Sequence, residues 1–207
     1  MAKIKNIIFD LGGVLLNIDY QKTANAFKQL GVNQFDELYS QATANYLFEA
    51  LETGNISEAD FYQAMMPFCN SGITVQQIQF AWNAILLDFR PNALKTLEAL
   101  KPHYNLFLLS NTNSIHHTAF NQILKEETGH LSLDKFFIKS YYSHLINLRK
   151  PYPDTYKWVL DDGAMRAEET LFIDDSINNI NGAKEAGLQT HLLLPIETIE
   201  ELDFKTI

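Results

Sequence analysis

Cysteine is almost absent: Cys69 is the only one in 207 residues. No internal disulfide framework and no cysteine-cluster metal site is therefore available to this chain. Long hydrophobic runs are missing as well. The apolar run Ile7-Ile8-Phe9 stops at Asp10, well short of the ~7–15 residues of a signal-peptide core, and no stretch approaches the ~18 apolar residues of a membrane span. The six histidines never fall into HExxH or CxxC…HxxxH spacing, which leaves a zinc site without support. Positive charge is in deficit, with 16 Lys and Arg against 25 Asp and Glu for a net charge of −9. Such a balance repels nucleic acid and anionic membranes at long range, so neither is an expected partner. An anionic substrate would need local groups that overcome this field. Repeats and low-complexity tracts are absent too, and the sequence is silent on oligomeric state. The expectation is a cytoplasmic globular protein whose 46% hydrophobic content fills one large domain, or one domain carrying an insertion.

Short apolar runs alternate with helical periods over most of the chain. Ile4–Phe9, Leu106–Leu109, Phe136–Ile138, Leu171–Ile173 and His191–Leu194 are too short for buried helices. Their near-continuous Ile, Leu and Phe content predicts strands buried on both faces of a parallel sheet. Helical patterns over Asn92–Leu100, Ile115–Glu126, Asp154–Leu160 and Ile177–Ala186 separate them, the last closed by Gly187. The alternation predicts an α/β fold with a doubly wound, Rossmann-like parallel sheet and right-handed crossovers. One block interrupts it. Between Asp19 and Leu87 no strand candidate appears, only helical patterning broken at Gly31 and Thr53-Gly54-Asn55, with a capping-box pattern at Ser57-Glu58-Ala59-Asp60 ahead of a helix at Phe61. Residues 18–88 are expected to form an all-helical cap inserted into a core made of residues 1–17 and 89–207. Phe61, Tyr62, Phe80 and Trp82 read as cap core, and His116-His117 as packing or surface residues.

In an open parallel sheet, ligands bind beyond the carboxyl ends of the strands. After the first predicted strand comes Asp10-Leu11-Gly12-Gly13-Val14, and after the second Ser110-Asn111-Thr112-Asn113. Arg149-Lys150-Pro151 follows the third at some distance, and Asp174-Asp175-Ser176 follows the fourth. Three acids, a hydroxyl with an amide, and a lysine converge on one sheet edge. This constellation resembles the haloacid dehalogenase-like (HAD) superfamily, in its subfamily with a helical cap after the first strand. Within it, Asp-Leu-Gly, Ser-Asn-Thr-Asn and Arg-Lys-Pro are similar to the bacterial alpha-D-glucose-1-phosphate phosphatase group.

The resemblance implies a phosphatase acting on a small phosphorylated metabolite such as a sugar phosphate. Asp10 attacks phosphorus and forms an aspartyl phosphate, which divides hydrolysis into two easier steps. Mg²⁺ is the implied cofactor, held by Asp10, the Gly12 backbone carbonyl, Asp174 and Asp175, because an anionic nucleophile approaching a phosphate needs neutralisation. Lys150 supplies a compact positive charge in the catalytic centre, and with Ser110 and Asn111 it binds the phosphate. The pattern departs from most relatives at Gly12, where they carry a general-acid aspartate; such acids contribute ~10²–10⁴-fold. Asp19 or a cap residue is the candidate replacement. Two other readings stand beside this one: a metal-independent dehalogenase of the same fold, and a phosphate- or protein-binding module without turnover.

Overall fold

The apolar run ahead of Asp10 forms strand β1 (Asn6–Phe9), all four residues of which are buried. The computed structural model describes residues 3–39 and 46–204; the first two residues, 40–45 and the last three, which the expected core and cap segments include, lie outside it. After β1 come strand β2 (Leu16–Ile18) and five helices: α1 (Tyr20–Gln29), α2 (Phe35–Leu38), α3 (Tyr46–Glu52), α4 (Glu58–Met65) and α5 (Val75–Asn83). Strand β3 (Leu86–Phe89) returns the chain to α6 (Ala93–Leu100), β4 (Asn105–Ser110) and α7 (Ser114–Thr128). The chain closes with β5 (Lys139–Tyr142), α8 (Ser143–Ile146), α9 (Pro153–Asp162), β6 (Thr170–Asp174), α10 (Ile177–Glu185) and β7 (Gln189–Leu192).

The main sheet has the order β5-β4-β1-β6-β7 and every pairing in it is parallel. Side-chain alternation sorts its residues onto two cores. Ile7, Phe9, Leu106, Leu108, Leu171 and Ile173 face one apolar layer, which includes Leu97 and Phe120 from α6 and α7. Ile8, Phe107, Leu109, Tyr141 and Phe172 face the other, with Tyr156 and Val159 of α9 and Ile180 of α10. Burial on both faces is why these strands read as unbroken apolar runs. A third cluster belongs to the helices between β2 and β3. There Phe27 stacks on Phe35 with ring centroids 4.3 Å apart, and Phe48, Phe61 and Trp82 fill the space between helices.

The structure corrects the expected elements at several places, among them the last strand, which spans Gln189–Leu192 rather than His191–Leu194. Leu86–Phe89, assigned no strand, pairs antiparallel with β2, Leu16 opposite Phe89 and Ile18 opposite Leu86. The Asp19 N–H also donates to the Ile85 carbonyl at 2.9 Å, so the chain leaves and re-enters the core at one point. The strand expected at Phe136–Ile138 begins instead at Lys139. Phe136 closes a 3₁₀ turn and Phe136 and Phe137 are buried in the core, whereas Ile138 is 66% exposed. The helix expected at Phe61 begins at Glu58: Ser57 is its N-cap, accepting from the Asp60 N–H at 3.1 Å while Asp60 Oδ2 accepts from the Ser57 N–H. No helix among the described residues is long and apolar enough to cross a membrane.

Candidate active site

β1, β4 and β6 are adjacent and parallel, so their carboxyl ends bring Asp10, Ser110 and Asp174 to one edge. Lys150 reaches the same edge from the segment between α8 and α9. Its side chain is 1% exposed, and the ammonium bridges Asp10 Oδ1 at 2.8 Å and Asp174 Oδ2 at 2.7 Å. The Lys150 Nζ also lies 5.4 Å from the centre of the Phe172 ring, a favourable seat for a cation. The Lys150 backbone is gripped by Asn111, whose Nδ2 donates to the Lys150 carbonyl and whose Oδ1 accepts its N–H, both at 2.9 Å. The Asn111 side chain thus positions the lysine. The Ser110 hydroxyl, by contrast, has no hydrogen-bond partner among the described residues and lines the cleft. Thr112 and Ser143 clamp the loop after β4, the Ser143 hydroxyl accepting from the Thr112 N–H at 2.9 Å and donating to its carbonyl at 2.8 Å.

Two acids follow β6 and are placed differently. Asp174 is fully buried, with Oδ2 held by Lys150 and Asn179, and Oδ1 by the Ser176 N–H at 2.8 Å and Asn179 at 3.0 Å. Asp175 is exposed toward the cleft and lies across Gly13. A Cβ on Gly13 would come within 2.0 Å of Asp175 Oδ2, and Gly13 has φ +73°, so only glycine admits this contact. Asn179, the Asn111 grip and Gly182 are not legible in the sequence. A Cβ on Gly182 would fall 1.9 Å from the Pro151 carbonyl, so its missing side chain lets α10 pack against the segment carrying Lys150.

Carboxylate oxygens of Asp10, Asp174 and Asp175 lie within 4.8 Å of one another. With Lys150 as their shared cation, negative charge stays in surplus. Burial pushes the Asp10 carboxyl up to about 8 despite Lys150, and Asp174 and Asp175 add to the rise. Asp175 is raised by burial and by Asp174. Burial alone would lower the Lys150 ammonium, but Asp10 and Asp174 together overcome it and hold the lysine charged. Hard oxygen donors with uncompensated charge fit a divalent cation such as Mg²⁺. Asp10 and Asp175 are the side chains open to it, since the Asp174 oxygens are already engaged. Gly12 lies beside Asp10, and its carbonyl accepts none of the hydrogen bonds of its turn. That leaves the carbonyl free for the ligand role expected of it.

The cleft above this edge encloses about 700 Å³ between sheet edge and helices. A Cβ on Gly12 would meet Ile18 Cδ1 at 3.1 Å, so an aliphatic side chain covers this position, where no acid stands. Asp19, the candidate replacement for that acid, caps α1, its Oδ1 accepting from the Gln21 N–H at 2.8 Å, between Ile18 and Tyr20, which line the cleft. His116 is buried, with Nδ1 against Asn113 Nδ2 at 3.1 Å and Nε2 against the Trp82 carbonyl at 3.1 Å. Its ring stacks on Trp82 at 4.7 Å. Burial pushes its pKa down to about 4, so His116 is a neutral joint between α5 and α7.

The haloacid dehalogenase-like hydrolase profile matches residues 4–187. A D-ribitol-5-phosphate phosphatase from Bacteroides thetaiotaomicron is 31% identical over 188 residues, 90% of each chain. A crystal structure of a HAD family enzyme from the same organism, in complex with magnesium and inorganic phosphate, superposes with a TM-score of 0.85 at 33% identity, covering 97% of this chain and 99% of that one. A HAD-like hydrolase from Porphyromonas gingivalis gives a TM-score of 0.85 at 33% identity, covering 95% and 94%. By sequence, by fold and by the four motifs gathered at one sheet edge, the chain belongs to the haloacid dehalogenase-like hydrolases.

Proposed function

We propose that this hydrolase is a Mg²⁺-dependent phosphatase of a small phosphorylated metabolite, with Asp10 as nucleophile. The observation that carries the reading is the cluster of Asp10, Asp174 and Asp175 around the buried Lys150 at the floor of the cleft. Residues 18–88 act as the cap over a core of residues 1–17 and 89–207. Asp10 attacks phosphorus, the bond to the leaving oxygen breaks, and water then hydrolyses the aspartyl phosphate. Lys150 holds the Asp10 carboxylate in place and offers charge to the phosphoryl oxygens, while Ser110 donates its free hydroxyl. Bound Mg²⁺ supplies neutralisation of the carboxylates and of the phosphate. Asp174 orients Lys150 through its 2.7 Å contact.

A sugar or polyol phosphate is the substrate class this reading favours. Both the likeness to alpha-D-glucose-1-phosphate phosphatases and the relative that acts on D-ribitol 5-phosphate point to a neutral, polyhydroxylated leaving group. The test is turnover of a panel of phosphate monoesters with Mg²⁺ and with excess chelator. Turnover only with the metal is expected. Full activity in chelator, or no turnover of any ester, overturns the assignment.

The glycine at position 12 adds a second expectation. With Ile18 over it and no carboxyl there, the departing oxygen leaves with little protonation. Rate then falls steeply as leaving-group pKa rises, so aryl and anomeric phosphates are turned over faster than primary alkyl phosphates. A graded ester series, measured where chemistry limits the rate, checks this. A flat profile would assign proton delivery to a side chain on the cap wall.

A further inference from the structure

We infer that the cap wall of the cleft selects phosphate monoesters with an uncharged, polyhydroxylated leaving group, and that Glu52 is the specificity-determining residue. The inference rests on the phosphatase reading above and concerns the far end of the same cleft. Helix α3 turns Phe48, Ala50 and Leu51 into the apolar cap core. Glu49 and Glu52, three apart and so on one face, line the cleft, as does Phe48. Arg149, next to the phosphate-end lysine, meets both: Nη1 lies 3.4 Å from Glu49 Oε2 and Nη2 lies 3.0 Å from Glu52 Oε2. The Tyr39 and Tyr152 side chains line the same stretch of wall.

This end is polar and incompletely satisfied. Glu52 Oε2 and Arg149 Nε are buried, yet neither makes a hydrogen bond; the 3.0 Å approach of Nη2 to Glu52 is an ion pair without that alignment. Burial, with Glu49 nearby, raises the Glu52 carboxyl. Those two atoms are shut off from the cleft, but the remainder of the Glu49, Glu52 and Arg149 side chains lines it. Vicinal hydroxyls match that lining, donating to the carboxylates and accepting from Arg149. An apolar leaving group would desolvate these charged groups and offer them no partner. A second anionic group fares worse, because two carboxylates outnumber one guanidinium at close range. The wall therefore discriminates by what it rejects as well as by what it binds.

An ion pair that merely latches the helices onto the core would share this geometry, and substrate ratios separate the two roles. The experiment compares kcat/KM for ribitol 5-phosphate and ribonate 5-phosphate, which differ only in one carboxylate, with 4-nitrophenyl phosphate as the reference ester. Wild type is expected to favour the polyol ester over the acid by at least about tenfold. Glu52→Gln removes the charge while keeping shape, and should narrow that ratio at least about fivefold. Glu52→Ala should lower the polyol-to-aryl ratio about tenfold, mostly through KM. Equal use of polyol and acid esters by a wild-type enzyme that hydrolyses the reference ester overturns the inference and leaves the phosphatase reading standing. Ratios unchanged in both variants, with all esters slowed alike, overturn it in favour of a latch. No Mg²⁺-dependent turnover of any ester overturns the phosphatase reading itself, and this inference with it.

Discussion

Replacing Asp10 with asparagine is expected to lower kcat by more than about 10³-fold for every phosphate ester, because an amide cannot serve as the attacking carboxylate. The loss should come without unfolding. The amide oxygen of the Asp10→Asn variant can still accept from the Leu11 N–H, which now reaches Asp10 Oδ1 at 2.7 Å, and Lys150 keeps Asp174 as its ion-pair partner. Burial already pushes the Asp10 carboxyl up to about 8 in the absence of metal, so an amide there removes only a charge that the cluster resists holding. In chelator the variant should therefore melt within about 5 °C of wild type, or above it. Parallel kinetics and thermal denaturation check both halves. Turnover within about tenfold of wild type would remove Asp10 from the nucleophile's role, whereas a large drop in melting temperature would make lost activity uninformative.

Lys150→Met should damage stability and turnover together. Its ammonium is buried between Asp10 and Asp174, and its loss leaves two buried carboxylates facing each other. Breaking a buried pair in this way costs about 3–5 kcal/mol, a fall in melting temperature on the order of 10 °C for a chain of this size. Measured in chelator, the drop should be recovered in part by adding Asp174→Asn, which removes one of the stranded charges while keeping an amide for Asn179 to meet. Turnover should not return with stability, since the phosphate end still lacks its cation. If Lys150→Met is as stable as wild type in chelator, the lysine is not the counter-charge of the cluster.

Much of this site is legible in the sequence because it hangs on strand ends. Asp10, Ser110 and Asp174 each end or follow an apolar run, and parallel pairing then puts them side by side. The contacts that aim them leave no such trace. Asn179 is one polar residue in the first turns of α10, yet it holds both oxygens of Asp174. Asn111 follows Ser110, so its presence at the edge is readable, but its engagement with a backbone 39 residues away is not. The meeting of Arg149 with Glu52 depends on how the helices between β2 and β3 fold back, which periodicity does not encode. Among the elements, β5 escapes detection because it is an edge strand beginning Lys-Ser, while the more apolar Phe136-Phe137 beside it fills core without pairing. The β2–β3 ribbon escapes because its strands are only 3 and 4 residues long and their pairing spans the whole helical insert.

That ribbon bears on how freely the insert can vary. Ile18 faces Leu86, and the Asp19 N–H reaches the Ile85 carbonyl at 2.9 Å, so the two ends of the helical segment are already held together by the core. Loop-closure entropy grows only with the logarithm of loop length, about 0.6 kcal/mol for each doubling. With the ends fixed by the ribbon, lengthening, shortening or replacing the segment changes the folding free energy of the sheet by little more than that. The wall that reads the leaving group can therefore diverge while the strand ends that carry the chemistry stay as they are.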